Sequence, residues 1–120
     1  MKKKTLVIGG STKPERYSNK AIRKLLVYGH PVKSIGLRKS KVETVDIITG
    51  KPDIENIHTV TIYIRLSKQP EYYDYILSLN PSRIIFNPGT ENPELVSIAK
   101  NKGIEIVENC TLVMLDHGLF

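Results

Sequence analysis

The sequence is poor in cysteine: Cys110 is the single thiol among 120 residues. One thiol closes no internal disulfide, which excludes a disulfide-stapled fold and makes a reducing, cytoplasmic setting the expectation. Long apolar runs are also missing. The longest candidate, Thr5 to Gly10, is strand-sized and far short of the ~20 residues a membrane span needs, so no membrane partner is expected. The basic start, Met1-Lys2-Lys3-Lys4, is followed by no long apolar stretch or cleavage site and does not read as a signal peptide. No repeat, linker or low-complexity tract interrupts the chain. At 13.6 kDa, residues 1–120 suit one compact domain.

Acidic residues are the minority, 12 Asp+Glu against 18 Lys+Arg, for a net charge of +6. The first half holds only five acids, Glu15, Glu43, Asp46, Asp53 and Glu55, so the excess lies there. Such an excess draws polyanions: nucleic acid, a membrane surface or a phosphorylated small molecule. It equally serves as a solvated basic face, and charge alone names no partner.

Short β-branched runs alternate with helical patterns. Thr5-Leu6-Val7-Ile8 reads as a strand buried on both faces and stopped by Gly9-Gly10. Ser18 is a candidate N-cap for a helix carrying Ala21, Ile22, Leu25, Leu26 and Tyr28, ended by Gly29. Val32 to Ile35 is a weaker second strand, and Val42 to Val45 is a candidate short edge strand in a stretch, Gly36 to Asn56, without a clear pattern. Thr59 to Ile64 is a clear strand. Ser67 or Gln69 opens a helix with Tyr72, Tyr75, Ile76 and Leu79, broken at Asn80-Pro81. Arg83 to Phe86 is the next strand, and Asn92-Pro93 starts a helix with Leu95, Ile98 and Ala99 inward. Ile104 to Val107 is the last strand. This order predicts an α/β fold in three layers, a mostly parallel five-stranded sheet with helices on both faces. Ligands of such sheets bind beyond the carboxyl ends of the strands, where the strand order reverses. The loops Gly9–Tyr17, Gly36–Lys41, Tyr63–Lys68 and Asn87–Asn92 should therefore share one edge.

Gly9-Gly10-Ser11-Thr12 follows a strand and precedes a helix. Its glycines allow close approach to backbone, and the helix start offers N–H groups to an anion, which fits phosphate or pyrophosphate. Neither GxGxxG nor a GK[ST] ending is present. Arg38 and Lys39 follow the second strand, where an acid would accept from free ribose hydroxyls; cations there favour a phosphorylated ribose, as in CoA or NADP. Structural glycines and exposed loop cations remain the bland alternatives.

His30, His58 and His117 have no spaced companions of a metal site, so no metal is expected. Cys110 follows the last strand as either a small core residue or a thiol near the reactive end of a ligand. Tyr63 lies at the binding edge. No catalytic residue stands out.

Val7-Ile8-Gly9-Gly10-Ser11-Thr12-Lys13-Pro14-Glu15-Arg16-Tyr17-Ser18, Ile85-Phe86-Asn87-Pro88-Gly89-Thr90-Glu91-Asn92-Pro93-Glu94 and Glu108-Asn109-Cys110-Thr111 resemble the small stand-alone CoA-binding proteins, which are similar to the CoA-binding domain of the succinyl-CoA synthetase α subunit. The resemblance covers nearly the whole chain. It implies a Rossmann-like, nucleotide-binding domain whose loop from Gly10 to Pro14 (Gly9, Gly10, Ser11, Thr12, Lys13 and Pro14 with the preceding turn) holds the pyrophosphate of CoA, with Tyr17 and Ser18 nearby. Arg38, with Lys39, would meet the adenosine end and its 3′-phosphate. Tyr63, Asn87, Pro88 and Gly89 would line the pantetheine path. Relatives usually carry Asn-Pro after the second strand; here Gly36-Leu37 stands instead. The synthetase's phosphorylated histidine and partner subunit lie outside a chain of this length, so the resemblance carries binding and not ligase activity.

The expected function is a CoA or acyl-CoA binding protein that is not an enzyme, with a protein partner or homo-oligomer left open. One alternative is a small oxidoreductase or acyl-CoA enzyme using NAD(P) or CoA, with Cys110 or Tyr63 contributing. Another is a basic nucleic-acid module, against which stands the lack of a recognition helix or basic-aromatic surface.

Overall fold

The computed structural model describes residues 2–120. Its strands are β1 (Thr5–Ile8), β2 (Val32–Ile35), β3 (Ser40–Val42), β4 (Val45–Ile48), β5 (Thr59–Ile62), β6 (Arg83–Phe86) and β7 (Glu105–Glu108). Helices are α1 (Tyr17–Val27), α2 (Tyr73–Ser78), α3 (Pro93–Asn101) and α4 (Thr111–Asp116), and two 3-10 turns, Leu66–Lys68 and Pro70–Tyr72, lead into α2.

The strands form one sheet of seven, ordered β3-β4-β2-β1-β5-β6-β7, rather than the five expected. Every pairing is parallel except β3 with β4. The two extra strands, β3 and β4, come from the segment around the candidate edge strand at Val42 to Val45. Val42 and Val45 instead face each other across a hairpin whose turn is Glu43-Thr44. Glu43 takes φ 53, a left-handed conformation that a turn of this tightness demands and that glutamate favours little.

The alternation along each strand sorts the core into two layers. Leu6, Ile8, Val60, Ile62, Ile84 and Phe86 point to one face, where Ile76, Leu95 and Ala99 of α2 and α3 cover them. Val7 and Ile47 point to the other, under Ile22 and Leu25 of α1 and Leu115 of α4. Central strands are thus buried on both faces, which is why they read as unbroken apolar runs. Lys24 of α1 and Tyr28, its C-cap, both bond Asp116 of α4, at 2.6 and 3.0 Å, joining the two helices of that layer.

Three local expectations change. Arg16, not Ser18, is the N-cap of α1, and no side chain caps it; Ser18 is the second helical residue and is buried. The helix from Ser67 or Gln69 is shortened to α2 by the two tight turns before it. Helix α4, after the last strand, adds an element to the expected order. By contrast, Asn92 caps α3 as expected, its Oδ1 accepting from the Leu95 N–H at 3.0 Å.

Candidate site at the carboxyl edge of the sheet

Chain order runs outward from β1 through β2 to the hairpin, then returns to β5 on the other side of β1. The strand order therefore reverses between β1 and β5, and the loops that leave these two strands part to form a crevice. There a cavity of about 500 Å³ opens, lined by Gly9, Ser11, Arg16, Tyr17 and Ser18 from the β1–α1 connection, Tyr63 and Arg65 after β5, residues 87–90 after β6, and Cys110 after β7.

Glycines set how closely the loops approach. Gly9 has φ 98, and a Cβ there would lie 3.2 Å from the Tyr63 carbonyl oxygen. Gly36 packs on the Gly10 carbonyl: an added Cβ would meet that oxygen at 2.5 Å and Ile47 Cγ2 at 2.9 Å. The turn beyond β1 is therefore seated against the end of β2, its Gly9 and Gly10 N–H groups both donating to the Ile35 carbonyl at 2.9 and 3.0 Å. Gly36, the first residue after β2, is the residue that permits this contact.

The far wall is held by two buried amides. Asn87 Nδ2 donates to Thr61 Oγ1 (2.7 Å) and to the Ile62 carbonyl (2.9 Å), while its Oδ1 accepts from the Thr111 N–H (2.9 Å). These bonds tie the ends of β5 and β6 to the start of α4. Gln69 Nε2 donates to the Ile64 and Thr90 carbonyls at 3.0 and 2.8 Å, and its Oε1 accepts from Asn92 Nδ2 at 2.8 Å. With every polar atom of both side chains engaged, the loops after β5 and β6 behave as one braced wall.

Charge around the cavity is one-sided. Arg16 and Arg65 reach it and no carboxylate lines it. The N–H groups of the first turn of α1 have no side-chain cap and lie beside it, so the site presents unshared donors and the positive end of a helix dipole. Arg65 is oriented by its Nε bond to Ser67 Oγ at 3.1 Å.

Tyr63 lines the same cavity, its hydroxyl buried without a hydrogen-bond partner near the Thr61 and Thr111 hydroxyls, which bond each other at 2.7 Å. Burial holds the phenol far above its ordinary range, so it stays protonated. Cys110 is half-buried in the wall and caps α4 through its backbone position alone.

Of the residues expected from sequence, Gly9, Ser11, Tyr17, Ser18, Tyr63, Asn87, Pro88 and Gly89 meet at this cavity. Gly10 supports it from beneath. Thr12 and Pro14 turn away to a second cavity of about 450 Å³, lined also by Asn19, Arg23, Lys41, Val42 and Glu43. Lys13, Arg38 and Lys39 line neither and are exposed. Arg16, Arg65 and Thr90 were not singled out in the sequence. All three lie in loops assigned to this edge, and Arg16 and Thr90 also lie within the stretches that carry the resemblance. Among the described residues no group of His, Cys, Asp and Glu could hold a metal ion, and no helix is long and apolar enough to cross a membrane.

The chain is similar over its whole length to an uncharacterized protein of known crystal structure, at 47% identity and TM-score 0.97, covering 100% of this chain and 99% of that one. A Thermus thermophilus protein (cell-free ID.343) superposes at TM-score 0.86 with 22% identity, over 99% of this chain and 91% of its own. A hypothetical protein from Pyrococcus horikoshii OT3 does so at 0.82 with 22% identity, over 98% and 84%. The last two speak for the fold alone. No curated protein matches. The family model described as a CoA binding domain matches residues 3–116, and the chain belongs to that family.

Proposed function

We propose that the protein binds CoA or an acyl-CoA across the carboxyl edge of the sheet and holds it without chemical change. The family supports CoA as the ligand. The observation that carries the placement is the cavity at the strand-order reversal, which is bordered by the uncapped first turn of α1, flanked by Arg16 and Arg65 and lined by no carboxylate. Pyrophosphate would sit on that turn beside Ser11, because its charge is spread over oxygens that unshared N–H groups and guanidinium donors can meet. Pantetheine would run along Tyr63 and the loop from Asn87 to Gly89. Asn87 borders that path as a brace, since its amide is already spent on protein partners. The non-catalytic part of the reading rests on the sequence, which offers no spaced nucleophile, base and acid.

Isothermal titration of ligand-stripped protein with CoA, NAD and NADP in parallel tests this. CoA alone should bind, and at about one hundred times its Kd it should stabilise the fold by roughly 2.7 kcal/mol. A nicotinamide dinucleotide bound in place of CoA would overturn the proposal. One observation favours the enzyme alternative, the half-buried thiol of Cys110 in the cavity wall. Turnover of an acyl-CoA that disappears in Cys110→Ser would establish that alternative.

A further inference from the structure

The second cavity carries its own charge logic. It lies between α1 and the β3–β4 hairpin, on the opposite side of the β1–α1 loop from the first. Arg23 is half-buried at its wall. Its Nε donates to Asn19 Oδ1 at 2.7 Å and its Nη2 to the Pro14 carbonyl at 3.1 Å. Among the described residues it has no carboxylate partner. A half-buried guanidinium is seldom left without an anion, and two of its nitrogens are used here to fix its plane rather than to neutralise it. Across the cavity stands Lys41, whose nearest ion-pair partner, Asp46, is 3.9 Å away and largely exposed. Thr12 adds a hydroxyl. Glu43 at the rim is the single carboxylate in the lining, so the cavity is net positive.

We propose that this cavity is a phosphate-monoester site, formed by Arg23 and Lys41 and distinct from the pyrophosphate turn. The guanidinium N–H groups left free present a fixed fork to a tetrahedral dianion, and the lysine supplies a mobile point charge from the facing wall. Occupancy would also reach the first cavity. Asn19, which accepts from Arg23, donates through Nδ2 to the Ser11 carbonyl at 2.9 Å, and Arg23 itself holds the Pro14 carbonyl. An anion that steadies Arg23 therefore steadies the loop whose other side lines the first cavity.

The dianion has two sources. One is the ribose 3′-phosphate of the ligand whose pyrophosphate sits on the same loop, which rests on the CoA reading; Arg23 and Lys41 then take the role that sequence order gave to Arg38 and Lys39. The other is free phosphate. Titration calorimetry of wild type, Arg23→Gln, Lys41→Gln and Arg38→Gln with CoA, dephospho-CoA and inorganic phosphate separates them. With the ribose phosphate as source, wild type prefers CoA over dephospho-CoA by about tenfold. That preference falls toward unity in the Arg23 and Lys41 variants and persists in Arg38→Gln. With free phosphate as source, inorganic phosphate binds wild type but neither the Arg23 nor the Lys41 variant, and the CoA preference stays put. Lys41→Gln touches no loop contact, so it decides the matter if Arg23→Gln disturbs the loop. The proposal is overturned if Lys41→Gln keeps both the preference and any phosphate binding; a preference that collapses in Arg38→Gln alone excludes the ribose phosphate as the source. If wild type binds neither form of CoA, the CoA reading fails by itself, and phosphate binding lost in Lys41→Gln still upholds the site, while no phosphate binding sinks it.

Discussion

Asn87 separates a bracing amide from a ligand-contacting one, and its removal has a calculable cost. The side chain is 2% exposed and makes three hydrogen bonds, two from Nδ2 and one to Oδ1. At about 1 kcal/mol net for each bond, Asn87→Ala should destabilise the fold by roughly 3 kcal/mol, since the Thr111 N–H and the Ile62 carbonyl are left dry and unpaired. That is a large share of the ~5–15 kcal/mol typical of a domain. For this chain length it corresponds to a fall in Tm of about 10 °C or more. Urea denaturation followed by circular dichroism measures it, and CoA titration well below the new Tm measures binding to the folded fraction. Asn87→Asp sharpens the test. A carboxylate oxygen would then face the Ile62 carbonyl, and burial would raise that carboxyl above its usual ~3.9. A folded-state pKa raised above the unfolded one gives stability that is present at low pH and lost as pH rises through the folded value, so Asn87→Asp should be less damaging near pH 4 than near pH 7. The bracing role is refuted if Asn87→Ala keeps its stability within about 0.5 kcal/mol while CoA affinity disappears.

Two further outcomes follow from the geometry. Gly36→Ala must separate the loop after β2 from the Gly10 carbonyl, because its Cβ would lie at 2.5 Å from that oxygen; we expect a loss of about 1–3 kcal/mol together with weaker CoA binding, and unchanged values in both denaturation and titration would show the contact to be dispensable. His30 and His58 are both held below the ordinary histidine range, first by burial and then by cations, Lys2, Lys3 and Arg83 at His30 and Arg83 and Lys3 at His58, with Glu105 opposing at His58. A depressed histidine leaves the unfolded chain binding more protons, so stability should be level above about pH 7 and decline as pH falls through ~6.5. Chemical denaturation across that range should show the decline in wild type and a flatter profile in His30→Gln/His58→Gln; equal slopes would assign the decline to other groups.

The fold was legible wherever one physical signal dominated. β1 and β6 end where the sequence places them, because runs buried on both faces stop at Gly9 and Asn87; β2 ends at Gly36 as expected, with only Ser34 and Ile35 buried. The hairpin was not legible. Its turn carries Glu43-Thr44, with neither glycine nor asparagine, and the left-handed glutamate is imposed by the pairing of Val42 with Val45. Helix α4 spans only six residues, too short to show periodicity, and is fixed by bonds to residues distant in sequence, Asn87 to the Thr111 N–H and Lys24 to Asp116.

The site divides along the same line. Sequence order alone brings the loops after β1, β5 and β6 to one edge, and eight of the expected residues do meet there. What sequence order leaves open is the direction each loop residue faces. Ser11 and Thr12 are adjacent, yet they line different cavities, and the same split parts Pro14 from Arg16. Cations behave likewise. Arg38 and Lys39 occupy the sequence position associated with a ribose phosphate but are exposed outside both cavities, whereas Arg23, seven residues into α1, is turned into one of them by Asn19 and Pro14. A loop that exposes alternate residues to two cavities can grip one elongated ligand from both sides. The contribution of each cation then depends on the wall it faces rather than on its distance from the strand before it.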